Sequence, residues 1–233
     1  MTPTLATACT ALPPEGANFP WGGPAENCSV GSTIKLWLVR HAQPLVEAGV
    51  CYGRLDLAAD VAATAECARQ LADVLPSGIR VVASPLQRCE QLAHALQALR
   101  PDLACEIDAR LAEMDFGCWE GRAWNDIDRA ELQAWTDDFA CYAAGQDGES
   151  VTGFMARVAS VFDELTRGTL TPALSRGERE KEGGSDTLWI THAGVIGSVR
   201  LLAKGLRTIE RADKWPQDGL NYGQWRVLDL RAG

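Results

Sequence analysis

The stretches Leu38-Val39-Arg40-His41-Ala42-Gln43-Pro44 and Trp189-Ile190-Thr191-His192-Ala193-Gly194-Val195 each place a histidine just past an apolar, β-branched run. The chain holds three histidines in 233 residues, and two of them occupy this same kind of position. Short β-branched runs bounded by turn formers read as buried strands. In an open α/β sheet, ligands bind at the carboxyl ends of the strands. A neutral imidazole there can attack phosphorus, and a guanidinium beside it can hold phosphate oxygens by paired charge-assisted bonds. The two stretches therefore point to phosphoryl transfer through a histidine nucleophile.

Working outward, strands and helices alternate. Ile34–Val39, Ile79–Ala83 and Thr187–Thr191 read as buried strands, and Tyr222–Leu230 as a final strand of alternating character. Ala62–Leu75, Leu86–Leu99, Val151–Leu165 and Val195–Leu202 carry apolar residues at helical spacing, with Ser150 placed as the N-cap of the third. Such alternation predicts an α/β fold, a three-layer α/β/α sandwich with a mainly parallel central sheet. Residues 1–33 are rich in Thr, Ala, Pro and Gly and contain neither Lys nor Arg, so they lack the basic start of a secretory signal. They read as a disordered tail before a single domain spanning 34–233. Within it, Arg167–Ser185 is charged, aperiodic and long for a loop, and reads as a disordered insertion with no chemistry assigned.

The bulk numbers narrow the partners. A net charge of −9 argues against a general nucleic-acid binder. No apolar run is long enough to span a bilayer. The eight cysteines form no C-x-x-C pair, and none is followed six positions later by arginine, which excludes the cysteine-dependent phosphatase loop. Inert thiols of this kind, several among alanine and leucine at helical spacing, suggest a reducing, cytoplasmic setting.

Further candidates lie near the predicted strand ends. Ser84-Pro85-Leu86-Gln87-Arg88-Cys89 opens a helix whose free amides and positive end suit an anion, and Arg88 on its first turn can reach the same pocket as Arg40. Leu111-Ala112-Glu113-Met114-Asp115-Phe116-Gly117-Cys118-Trp119-Glu120 sets three carboxylates among large apolar groups. A carboxyl raised in pKa by such surroundings can protonate a leaving alkoxide, but spacing does not choose among Glu113, Asp115 and Glu120. Cys51-Tyr52-Gly53-Arg54-Leu55-Asp56 reads either as a turn whose Arg54 contacts substrate or as a purely structural turn. His94 falls mid-helix and reads as a surface or packing residue. Asp126-Ile127-Asp128 lacks the preceding apolar strand that an aspartyl-phosphate motif needs.

Taken in order, LVRHAQP, CYGRLD, SPLQRCEQLA, LAEMDFGCWEG, Gly148-Glu149-Ser150 and THAGV resemble the histidine phosphatase superfamily, in its phosphoglycerate-mutase-like branch. The resemblance covers nearly everything from Ile34 onward except the insertion. It implies that His41 is the nucleophile, that Arg40, Arg88 and His192 complete the phosphate pocket, and that Glu113 is the proton donor. It implies no metal or other cofactor and a small phosphorylated metabolite as partner. The chain departs from many relatives after the nucleophile, where Ala42-Gln43-Pro44 replaces Gly, an acid or Gln, and Thr or Ser, and where Glu47 replaces an Asn. Arg54 would then supply part of the missing phosphate contact. Glycolytic mutases of this kind carry longer elaborations between the proton donor and the second histidine; the 79 positions from Glu113 to His192 fit net hydrolysis instead. YGR, EMDFGCWEG and GES also resemble bacterial α-ribazole phosphatases of cobalamin assembly. The alternatives are a mutase or phosphoprotein phosphatase on the same scaffold, and a catalytically silent phosphate-binding module.

Overall fold

The computed structural model describes residues 33–167 and 186–231. All but the last residue of the proposed N-terminal tail and all but the first residue of the proposed insertion lie outside these; Thr33, assigned to the tail, is instead the first residue of the first strand. Five strands, β1 (Thr33–Arg40), β2 (Arg80–Ala83), β3 (Cys105–Ile107), β4 (Thr187–Thr191) and β5 (Trp225–Arg231), form one sheet in the order β3-β2-β4-β1-β5. The first four run parallel; β5 pairs antiparallel with β1 along its outer edge.

The layers follow from the side-chain period of two. Along β1, Leu36 and Leu38 face one cluster while Val39 faces the other; along β4, Trp189 faces the first and Leu188 and Ile190 the second. Every residue of β4 is buried, as a central parallel strand covered on both faces requires. Helices α1 (Val61–Val74) and α2 (Gln87–Leu99) supply the second cluster, and α4 (Val151–Thr166) and α5 (Ala193–Leu202) the first. Ser150 caps α4 as expected, its hydroxyl accepting the Gly153 amide at 3.1 Å.

The structure differs from the sequence reading in four places. Strand β3 has three residues, too few to show a period. Helix α3 (Arg129–Asp137) starts on Asp128, whose carboxylate accepts the Ala130 amide, so the Asp126–Asp128 run begins a helix. Helix α5 starts two residues earlier than expected, directly on His192. The last strand starts at Trp225 and not at Tyr222, because Gly223 turns the chain with φ of +72° and donates its amide to the carbonyls of Arg40 and His41. No helix among the described residues is long and apolar enough to cross a membrane.

Candidate active site

Adjacent parallel strands carry the two histidines to one place. Arg40 pairs with Thr191 in register, and the His41 amide donates to the Thr191 carbonyl at 3.0 Å. His41 thus leaves the end of β1 beside His192 at the end of β4, with ring centroids 5.1 Å apart. Strand β2 ends on the other side of β4, where the Ser84 amide donates to the Ile190 carbonyl and leads into α2 with Arg88 on its first turn. His41 is 2% exposed, and Arg88 and His192 are fully buried.

Local bonds orient each group. The Nδ1 of His41 lies 2.7 Å from the Ala42 carbonyl, which can only accept, so Nδ1 carries the proton and Nε2 keeps a free lone pair. Burial and the charges of Arg88 and Arg40 hold the imidazole neutral, lowering its pKa to about 3 against the opposing pull of the Ala42 carbonyl. His192 is held well below its ordinary value by burial and by the same two arginines. Arg88 donates to the carbonyls of Leu55 at 2.8 Å and Gly53 at 2.6 Å. Gly53 is required there, since a Cβ would lie 1.9 Å from the Met114 carbonyl oxygen. Arg40 donates to the Leu220 carbonyl and stacks 3.9 Å from the Tyr222 ring, whose hydroxyl is 2.7 Å from that of Tyr52.

Of the three carboxylates left open by sequence spacing, the structure brings one to the cleft. Asp115 accepts the Gly117 amide, and Glu120 braces the Arg54, Leu55 and Phe116 amides. Glu113 instead lines the cleft with His41 and Arg40. Its carboxylate accepts the Gly194 amide, in the first turn of α5, at 2.9 Å and the Met114 amide at 3.0 Å. Burial nevertheless outweighs those donors and the two arginines, and raises its pKa. Arg54 is not brought to the cleft. With its backbone held by Glu120, its side chain is exposed and forms no hydrogen bond or ion pair among the described residues. His94 is exposed on α2, and Glu47 is exposed in the loop after β1.

The sequence reading missed the supports. Arg157 on α4 donates to the carbonyls of Arg110, Ala112 and Glu113 and pairs with Glu149 at 2.7 Å, while Glu149 also accepts the Asp115 amide. This explains the Gly148-Glu149-Ser150 string: its acid fastens the segment bearing Glu113, and its serine caps the helix bearing Arg157. Only the Glu149-to-Arg157 spacing of two helical turns signalled it.

Beyond His41 the cleft opens to about 430 Å³. Phe116, Trp124, Trp135, Phe139, Phe154 and Trp215 line it, and Arg40 and Glu113 are the charged residues among its lining. Around His41, Arg40 Nε, Arg88 Nε and His192 Nδ1 are buried without a hydrogen-bond partner among the described residues, although of these three side chains Arg40 alone is among those lining the cleft. Leaving such groups unpaired costs about 1–3 kcal/mol each, and the two guanidinium nitrogens are donors suited to an anion.

Residues 36–232 match the histidine phosphatase superfamily (branch 1). The chain belongs to this family. Solved histidine phosphatases share its fold. The α-ribazole phosphatase from Shigella flexneri is 23% identical with a TM-score of 0.67, over 85% of this chain and 91% of that one. A mycobacterial glucosyl-3-phosphoglycerate phosphatase is 24% identical with a TM-score of 0.64, over 84% and 89%. The same mycobacterial phosphatase in complex with inorganic phosphate is 23% identical with a TM-score of 0.63, over 83% and 88%. No curated protein sequence matches significantly. This histidine phosphatase is a phosphatase of branch 1, and its substrate is a phosphate ester.

Proposed function

We propose that the protein hydrolyses a small phosphomonoester through a phosphohistidine on His41, without a metal ion. The observation that carries this reading is the His41 tautomer: Nδ1–H is tied to the Ala42 carbonyl, which leaves the Nε2 lone pair free on a ring that lines the cleft beside His192. Nε2 attacks phosphorus, the phosphorus–oxygen bond to the leaving group breaks, and Glu113 passes its carboxyl proton to the departing oxygen. Arg40, Arg88 and His192 hold the transferring oxygens and offset their charge, the task a metal performs in other phosphoryl-transfer sites. Water then attacks phosphorus and gives its proton to the Glu113 carboxylate; the phosphorus–Nε2 bond breaks, returning its electron pair to His41, and inorganic phosphate leaves.

The cleft walls bear on the leaving group. Seven aromatic side chains, with Arg40, already engaged by the phosphate, the one cation among the lining residues, leave a carboxylate on the leaving group without a partner but suit a neutral aromatic group. This supports α-ribazole 5′-phosphate, the ester suggested by the YGR, EMDFGCWEG and GES strings, over a phosphoglycerate. The catalytic reading is also favoured over a silent binding module, since Glu113 is held in the same cleft as His41, where binding alone has no use for an acid.

The test is phosphate release from α-ribazole 5′-phosphate, 3-phosphoglycerate and p-nitrophenyl phosphate by wild type and His41→Ala, with a chelator present. His41-dependent turnover with preference for the ribazole ester is expected. Hydrolysis that survives His41→Ala would remove His41 as nucleophile, and a preference for 3-phosphoglycerate would overturn the aromatic substrate.

A further inference from the structure

His192 has two ring nitrogens in different company. Its Nε2 lies 2.8 Å from the Ser84 hydroxyl and 3.5 Å from the Cys89 sulfur. The Ser84 oxygen already accepts the Leu86 amide at 3.3 Å, and Ser84 is fully buried, so its own proton needs an acceptor within the site. Among the described residues, His192 Nε2 and the Cys89 sulfur are within its reach, and the imidazole nitrogen is the stronger acceptor of the two. The Cys89 thiol, also fully buried and held in its protonated form by that burial, is a second donor facing the same nitrogen. The hydroxyl is the nearer and stronger of the two donors, and it makes Nε2 the acceptor and places the ring proton on Nδ1; the longer thiol contact is too weak to hold the tautomer alone. Nδ1 is the atom that is buried without a partner, on a ring beside His41.

We infer that Ser84 is a positioning residue that fixes the Nδ1–H tautomer of His192 and so turns that N–H into a donor reserved for the phosphoryl oxygen. The inference rests on the proposed phosphohistidine chemistry for its use, but not for the tautomer itself. Both histidines then carry their proton on Nδ1 and put it to opposite ends. In His41 the Ala42 carbonyl takes that proton and frees Nε2 to attack, whereas in His192 the serine takes up Nε2 and frees Nδ1–H to bind.

The chain's three histidines make the tautomer directly readable by long-range proton–nitrogen NMR on protein labelled with ¹⁵N-histidine, with His41→Asn and His94→Asn giving the assignment. In wild type at neutral pH, His192 is expected to show a protonated Nδ1 and an unprotonated Nε2. In Ser84→Ala, which removes one buried oxygen atom, the signals should move toward the Nε2–H form, and kcat on p-nitrophenyl phosphate should fall about tenfold, the scale of one hydrogen bond. An Nε2–H tautomer in wild type, or an unchanged tautomer in Ser84→Ala, overturns the inference. Loss of kcat with an unmoved tautomer overturns it too, because the serine would then act through packing alone. Failure of the function reading looks different: the tautomers appear as expected, but no ester is hydrolysed in a His41-dependent way.

Discussion

At the residue scale the site works by keeping charges off two histidines and on two arginines. The neutral state of His41 has a thermodynamic signature. Its pKa is lowered to about 3, against about 6.5 for an unfolded chain, so between those values the unfolded state binds a proton that the folded state does not. Stability therefore falls as pH drops through that window, by about 1.4 kcal/mol per pH unit for this one group. His41→Gln should flatten the acid side of a stability-against-pH curve by about one proton. A curve parallel to wild type in urea titrations between pH 6 and 4 would contradict the buried, neutral His41.

Glu113 has the opposite shift and a separate test. Because burial raises its pKa, the acid form persists above the ordinary carboxylate range, and kcat should decline as pH rises through that raised value. Glu113→Gln should slow alkyl phosphates by about 10²–10⁴-fold and p-nitrophenyl phosphate far less, since nitrophenolate leaves without a proton. Equal losses on both would remove Glu113 from the acid role. Gly194 sets its geometry. A Cβ at Gly194 would lie 2.2 Å from Glu113 Oε1, so Gly194→Ala must push the carboxyl away while the helix itself tolerates alanine. A kcat loss of about 100-fold with little change in melting temperature is expected, and an unchanged kcat would show that the carboxyl position is not critical.

At the scale of elements, the pocket exists because three neighbouring strands, β2, β4 and β1, end side by side and each hands over a functional group. The acid comes from a loop instead, and loops need fastening. Two anchors hold it: the buried Thr191 hydroxyl donates to the Leu111 carbonyl at 2.8 Å, and Arg157 gathers the carbonyls of Arg110, Ala112 and Glu113. Arg157→Ala removes those bonds and leaves Glu149 without its ion-pair partner. It should cost about 1–3 kcal/mol of stability, and lower kcat through a displaced Glu113. Unfolding curves and kcat both at the wild-type level would show that the loop holds itself.

At the scale of the whole molecule, the layered architecture was legible because the central strands obey simple periods. Ile34–Val39 and Thr187–Thr191 read as strands from their apolar runs and lie side by side in the sheet. The parts that stayed hidden are short or tertiary. Strand β3 is three residues long, α3 is amphipathic over little more than two turns, and the antiparallel direction of β5 leaves no trace in local sequence. The two histidines and Arg88 could be grouped from strand-end positions alone, whereas choosing Glu113 needed either the family resemblance or the fold. Arg54 shows the reverse. Its motif position suggested a phosphate contact, but Glu120 fixes its backbone and its side chain is exposed. Ser84 and Arg157 act through ring nitrogens and carbonyls contributed by residues far off in the chain, which no spacing reports.

The most direct measurement is a rapid alkaline quench of the enzyme turning over p-nitrophenyl phosphate, followed by digestion and mass spectrometry, since phosphohistidine survives alkali and not acid. A phosphoryl group is expected on the peptide bearing His41, and none in His41→Ala. A phosphoryl group on another residue, or undiminished turnover by His41→Ala, would contradict it.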